Sequence, residues 1–196
     1  MHVRRLACLL LGMWLAGSGY LGVVAAQNFL TIDRLLKEPR SSRATVEVEK
    51  LGGPEQARLF LRHYVGEQNR FYFQAWEITQ MILGGALFLL LLFGTREGKL
   101  ALLLVLAMLL LVFFLHFGVT PGLVGLGREL DFTPPIPDSP LRAAFRARHV
   151  MYSTLEVVKV VIGVGLAVLL VAGRATRRLA VIGEPLATAG SPQSGR

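Results

Sequence analysis

One cysteine in 196 residues, Cys8, excludes an internal disulfide and any cysteine-built metal centre. Acidic residues are also sparse, 13 against 21 Lys and Arg, which leaves a formal charge of +8. A basic chain invites nucleic acid as a partner. These cations, however, are scattered through loops and ends, with no basic stripe and no interleaved aromatics, so no nucleic-acid partner is expected. The four histidines form neither HExxH nor HxxxH, and GxSxG is missing. Ser153 lies four residues after His149, yet no orienting acid completes a triad. The sequence therefore predicts no catalytic residue, no metal ligand, no cofactor site and no enzyme.

What is present is apolar length. Hydrophobic residues make up 53% of the chain, high for a soluble domain. The predicted fold class is an all-α integral membrane protein, a bundle of four transmembrane helices with an amphipathic segment before the second. The spans are placed at about 6–30, 71–93, 100–117 and 146–173 of a membrane domain covering 1–178, with a disordered tail at 179–196.

The first run, Leu6 to Ile32, is uncharged for 27 residues and carries Gly12, Ala16, Gly17, Ser18, Gly19 and Gly22, small surfaces suited to helix packing. MHVRR before an apolar core, with Val24-Ala25-Ala26 ahead of Gln27, also has the form of a cleavable signal. Retention is the preferred reading, because the run exceeds a signal core, and Cys8 then packs as a small apolar residue. A polar stretch follows from Asp33 to Arg70. In it Pro39 to Ser42 reads as a loop, Thr45 to Glu49 alternates too weakly to count as a strand, and Gly53-Pro54-Glu55 reads as a helix start. Ala57, Phe60, Leu61, Tyr64 and Val65 share one apolar face. That segment either lies on the membrane surface or extends the second span outward.

The second span opens on an aromatic belt of Phe71, Tyr72, Phe73 and Trp76, with Gln74, Glu77 and Gln80 recurring every three residues. Ile78 to Thr95 is uncharged and nearly long enough to cross alone, which allows Glu77 to rest at the interface. The turn Gly94 to Lys99 makes spans two and three an antiparallel hairpin. Pro121-Gly122 stops or bends the third helix, leaving Leu123 to Leu130 near the surface and a proline-rich loop from Asp131 to Pro140.

The fourth helix organises the rest. Its uncharged part, Val160 to Gly173, has 14 residues, ~21 Å at helical rise, whereas a span needs about 20 residues. The helix must therefore carry Glu156 and Lys159 toward the hydrocarbon. His149, Ser153 and Glu156 lie four and three apart on one face, with Lys159 at its flank. Lipid offers such a stripe no partners, so it should turn inward toward Gln74, Glu77, Gln80 and His116, with Val157, Val161 and Val168 outward. The candidate polar cluster is Glu77, His116, His149, Ser153, Glu156 and Lys159.

LGMWLAGSGYLGVVAAQNF, QARLFLRHY before FYFQAWEITQ, and RELDF followed by FRARHVMYSTLEVV together resemble an uncharacterised four-helix family of bacterial membrane proteins, grouped as a domain of unknown function, with small transmembrane relatives in eukaryotes. The likeness runs from about Leu6 to Gly173. It implies a topology with the first helix retained, residence in a bacterial inner membrane, and no established activity.

Three functions fit these readings. The first is a structural or accessory membrane component with a polar interhelical cluster. The second is a subunit of an oligomeric transporter or permease, with Glu156 exchanging a proton and Lys159 as its counter-ion. The third is a haem- or metal-binding membrane protein using His116 and His149. The expected partners are the lipid bilayer and either a second copy or another membrane protein. MHVRR and GRATRR abut spans directly, which places both ends in the cytoplasm.

Overall fold

The computed structural model describes residues 2–38, 41–94, 98–133 and 139–182, the side chains only as far as 172. The described residues are helical apart from short turns. They form α1 (His2–Lys37), α2 (Ser42–Lys50), α3 (Pro54–Gly94), α4 (Lys99–Phe114), a π-helical turn (Leu115–Val119), α5 (Thr120–Leu130) and α6 (Pro140–Ile182). Four stretches are long and apolar enough to cross a membrane: Val3–Lys37, Pro54–Gly94, Lys99–Leu130 and Pro140–Ala172. Each extends past the run expected from hydropathy alone, because polar turns continue the helix beyond the apolar part.

α3 begins where Gly53-Pro54-Glu55 predicts. Gly52 and Gly53 turn the chain into it at φ near +90°, a conformation that favours glycine. Its 41 residues make a rod of ~61 Å, about twice a hydrocarbon core. The amphipathic segment is therefore the outward extension of the second apolar helix rather than a separate surface helix. Thr45 to Glu49 is not a strand but part of α2, which starts on a Ser41 cap that accepts from the Ala44 amide at 3.2 Å. Five alternating residues were too few to outweigh that cap.

Pro121 does not end the third helix. The π turn just before it shifts the hydrogen-bond register, so that Pro121 falls in the first turn of α5, where its missing N–H is not needed. Leu123 to Leu130 is thereby helical and packs along α6. The middle of the Gly94–Lys99 turn, the centre of the Asp131–Pro140 loop, the expected Pro39-Arg40 loop and the tail from Gly183 lie outside the described residues. Of the expected tail, 179–182 continue α6.

The long helices pack in the cyclic order α1, α3, α4, α6, and α6 closes back on α1. α3 and α6 face each other across the diagonal, with no Cα pair within 8 Å among the described residues. Close approach depends on glycine. A Cβ on Gly17 would sit 2.1 Å from the Trp76 ring, and one on Gly84 would sit 2.6 Å from both Trp14 and Leu109.

The interior is divided along its length. One apolar cluster, with Leu11, Trp14, Leu87, Met108 and Leu166, fills the end near the α3–α4 turn. Cys8 packs against it as a small apolar residue. A smaller cluster of Leu115, Val119 and Tyr152 lies toward the opposite end. The polar residues of the second and fourth apolar helices meet between the two.

Candidate functional site: a buried polar layer and the cleft beside it

Glu77 is fully buried inside the bundle. Its carboxylate accepts from Thr120 Oγ1 at 2.6 Å and from His116 Nδ1 at 2.8 Å. Both donors come from the π turn and its exit, just ahead of Pro121. A carboxylate can be held there because two hydrogen bonds replace its water.

Lys159 is 1% exposed. Its ammonium donates to Gln80 Oε1 across the bundle diagonal and to Glu156 Oε1. Gln80 Nε2 in turn donates to Ser18 Oγ at 3.5 Å, and Trp76 Nε1 donates to the same oxygen at 3.4 Å. Side chains from α1, α3 and α6 thus form one chain of contacts, while Glu77, His116 and Thr120 form a second. Val157, Val161 and Val168 face outward, as the stripe predicts.

The stripe divides. Glu156 and Lys159 enter the bundle, but His149 and Ser153 remain exposed. Those two line a cleft of about 610 Å³ bounded by α1, α3, α5 and α6. Its wall is mostly apolar and includes Leu21, Phe29, Phe73, Trp76 and Leu123, and its inner end meets the polar layer at Ser18, Thr120, Tyr152 and Glu156. The aromatic belt divides in the same way: Phe71 and Tyr72 stay exposed, whereas Phe73 packs edge-on to Tyr152 and Trp76 sits over Gly17. His116 and His149 have different neighbours. The first bonds Glu77 and packs edge-on to Phe117, and the second stacks on Phe145.

A second polar group, at the outer end of α3, was not singled out from the sequence. Arg70 grips Asp131 with two hydrogen bonds of 3.0 and 3.1 Å, and His63 Nδ1 lies 2.8 Å from the same carboxylate. Arg128 grips Glu67 at 2.9 and 3.0 Å. These contacts clasp the end of α5 to α3, and they give the RELDF stretch a structural role. Phe132, at φ 60°, stacks on His63 with ring centres 4.9 Å apart. The available signal was His63, Glu67 and Arg70 at helical spacing on one face. His63, Glu67 and Asp131 offer ligand atoms within 4.8 Å of one another. Arg70 and Arg128 already occupy the carboxylates, however, which opposes a cation there. Glu67 lies outside the apolar run that begins at Phe71. The Arg128 guanidinium first, and then Arg70, hold its carboxyl down at about 2.

No family model, no curated protein and no solved structure matches this chain.

Proposed function

We propose that this protein is an integral membrane protein of four spans, without catalytic activity, whose buried polar layer fixes how the helices register against one another. Membrane residence is supported by the outer surface. Leu89, Leu103, Leu110, Phe117, Val161 and Val168 are each more than half exposed, an apolar skin suited to lipid rather than water. The observation that carries the structural role is that Glu77, Gln80 and Lys159 are all essentially inaccessible and each has a partner on another helix. Such bonds bring only about 0.6–2 kcal/mol each in a membrane, so their main effect is to select one register. Both ends are assigned to the cytoplasm of a bacterial inner membrane, in keeping with the basic residues beside the first and last apolar runs and with the family resemblance. An accessory component of this kind acts through a second copy or another membrane protein.

One observation favours a transporter subunit as the second reading. Glu156 is 20% exposed on the cleft wall while bonded to a buried ammonium, which places an ionisable pair between the bundle interior and an open space. Proteoliposomes holding a pH-sensitive dye separate the two readings. A structural component gives no proton movement that depends on Glu156. A proton leak or solute flux that Glu156→Gln abolishes overturns it in favour of transport.

A further inference from the structure

The cleft opens sideways. Gly22 and Ala26 of α1 and His149 and Ser153 of α6 all line it and are all exposed. At the end near the α3–α4 turn the same two helices pack together, with Leu15 against Gly163 and Arg4 on the Leu170 carbonyl. α1 and α5 have no Cα pair within 8 Å among the described residues. The seam between α1 and α6 is therefore closed at one end of the bundle and open toward the other. Its depth follows from α6. The outward valines run from Val150 to Val171, ~32 Å at helical rise, the thickness of a hydrocarbon core. Arg146 and His149 stand just before the first of them, at headgroup level, and Ser153 lies one turn inside.

Arg146, His149 and Ser153 lie three and four apart on one flank of α6. All three are exposed, and among the described residues none has a side-chain hydrogen bond or an ion pair. Across the opening, α1 carries no charge from Leu6 to Ile32. Glu156 is the one carboxylate on the cleft wall, and Lys159 neutralises it. The mouth thus offers a guanidinium, an imidazole N–H and a hydroxyl, with no free anion on the wall to receive them. Behind it the wall is apolar, with Leu21, Phe73 and Leu123. About 610 Å³ of such space beside lipid fills with hydrocarbon, since an empty gap forfeits dispersion contacts.

We propose that the open seam between α1 and α6 seats one anionic phospholipid, its phosphate accepting from Arg146 and His149, its glycerol ester beside Ser153, and one acyl chain along Leu21, Phe73 and Leu123. The headgroup is anionic because a choline or ethanolamine would set its own cation against Arg146, with no free carboxylate on the cleft wall to hold it. The site rests on membrane residence, and it is independent of whether the protein is an accessory component or a transporter subunit.

Native mass spectrometry of the full-length protein counts the bound lipid. The protein is released from micelles carrying palmitoyl-oleoyl phosphatidylglycerol or the matching phosphatidylcholine. One phosphatidylglycerol should remain bound, at a roughly fivefold lower lipid concentration than phosphatidylcholine, about what one basic residue gains at an anionic lipid surface. Arg146→Gln with His149→Gln should remove that preference without shifting the thermal midpoint, because neither side chain has a polar partner to lose. Gly22→Leu, at a position where nothing lies within 4 Å of a Cβ, should fill the opening and lower retention of both lipids. Equal retention of the two lipids by the native chain, a preference that survives Arg146→Gln with His149→Gln, or a lipid-free dimer that Gly22→Leu breaks overturns the proposal. Recovery of the protein in the soluble fraction of cells would instead overturn membrane residence itself.

Discussion

The ammonium of Lys159 reaches Gln80 across the full diagonal of the bundle, between two helices whose backbones nowhere come within 8 Å among the described residues. α3 and α6 therefore meet only through side chains, this tie and the Phe73–Tyr152 ring contact among them, while α1 and α4 pack against both. A long aliphatic stem with a charged tip is suited to that reach.

The first prediction follows from that tie. Glu156→Leu leaves Lys159 inside the bundle with Gln80 but no counter-charge. Removing one member of a buried pair typically costs about 3–5 kcal/mol, more than replacing both with apolar groups. Thermal unfolding in detergent should show a large loss for Glu156→Leu and substantial recovery for Glu156→Leu with Lys159→Leu. A double variant no more stable than the single one would mean that the two groups are not coupled.

Glycine contacts lead to the second. At Gly17 the α1 backbone meets the Trp76 ring, and any Cβ there falls inside the ring's van der Waals envelope. Gly17→Leu should therefore push α1 off α3 and break the Trp76–Ser18 contact, with a loss of folded yield in size-exclusion chromatography. Gly12→Leu is the control, since nothing lies within 4 Å of a Cβ at that position. Equal tolerance of both substitutions would contradict the packing of α1 against α3.

The third concerns the N-terminus. α1 contributes Ala7, Leu11 and Trp14 to the larger apolar cluster, and Arg4 donates to the Leu170 carbonyl at the far end of α6. Cleavage after Ala26 would remove all four residues. Intact mass of the mature protein should include residues before Gln27, and a chain starting at Gln27 would rule out the retained helix.

The clasp on α3 gives a pH prediction. Glu67 is held below its ordinary value of 4.5, at about 2, by Arg128 and Arg70. A depressed carboxyl contributes stability above the unfolded pKa and loses it as pH falls through the folded one. The Glu67 contribution should therefore persist at pH 5 and fade between about 4.5 and about 2. In Arg128→Ala the loss should still begin near 4.5 but be smaller and complete at a higher pH, which hydrogen exchange of the α5 end would follow.

Much of this architecture was legible in the sequence, and the misreadings share one cause. The uncharged runs, the Gly53-Pro54 helix start, the Glu156–Lys159 pair and the outward valines are local or periodic features, and a short window contains what decides them. Pro121-Gly122 predicts a stop or a bend, and a short window does not contain the π turn that shifts the register ahead of it. The partners of Glu77, His116 and Thr120, lie 39 and 43 positions away in the chain, outside any short window. The α3 clasp joins residues 61 and 68 positions apart, beyond any periodicity argument. His149 and Ser153 share a face with Glu156, yet they border an open cleft, because α1, α3, α5 and α6 leave about 610 Å³ unfilled there.

The diagonal placement of α3 and α6 also decides which cysteine pairs will link. From the sequence, an inward stripe would set Ser153 beside Glu77, and the pair Glu77→Cys with Ser153→Cys would then crosslink. The structure puts those residues on opposite helices of the bundle, with Ser153 exposed and Glu77 buried. Thr120, by contrast, bonds Glu77 directly at 2.6 Å from the neighbouring helix. In a Cys8→Ser background, Glu77→Cys with Thr120→Cys should join through a short bifunctional thiol reagent. Glu77→Cys with Ser153→Cys should not, and Ser153→Cys alone should react with a probe that enters from lipid. The substitutions remove the Glu77–Thr120 hydrogen bond, so the milder pair Ser18→Cys with Gln80→Cys provides a check on α1 and α3, whose side chains meet at 3.5 Å. If the Ser18–Gln80 pair links while the Glu77–Thr120 pair does not, the π turn does not bring Thr120 against Glu77. The π turn, the burial of Glu77 and the inner wall of the cleft would then fall together.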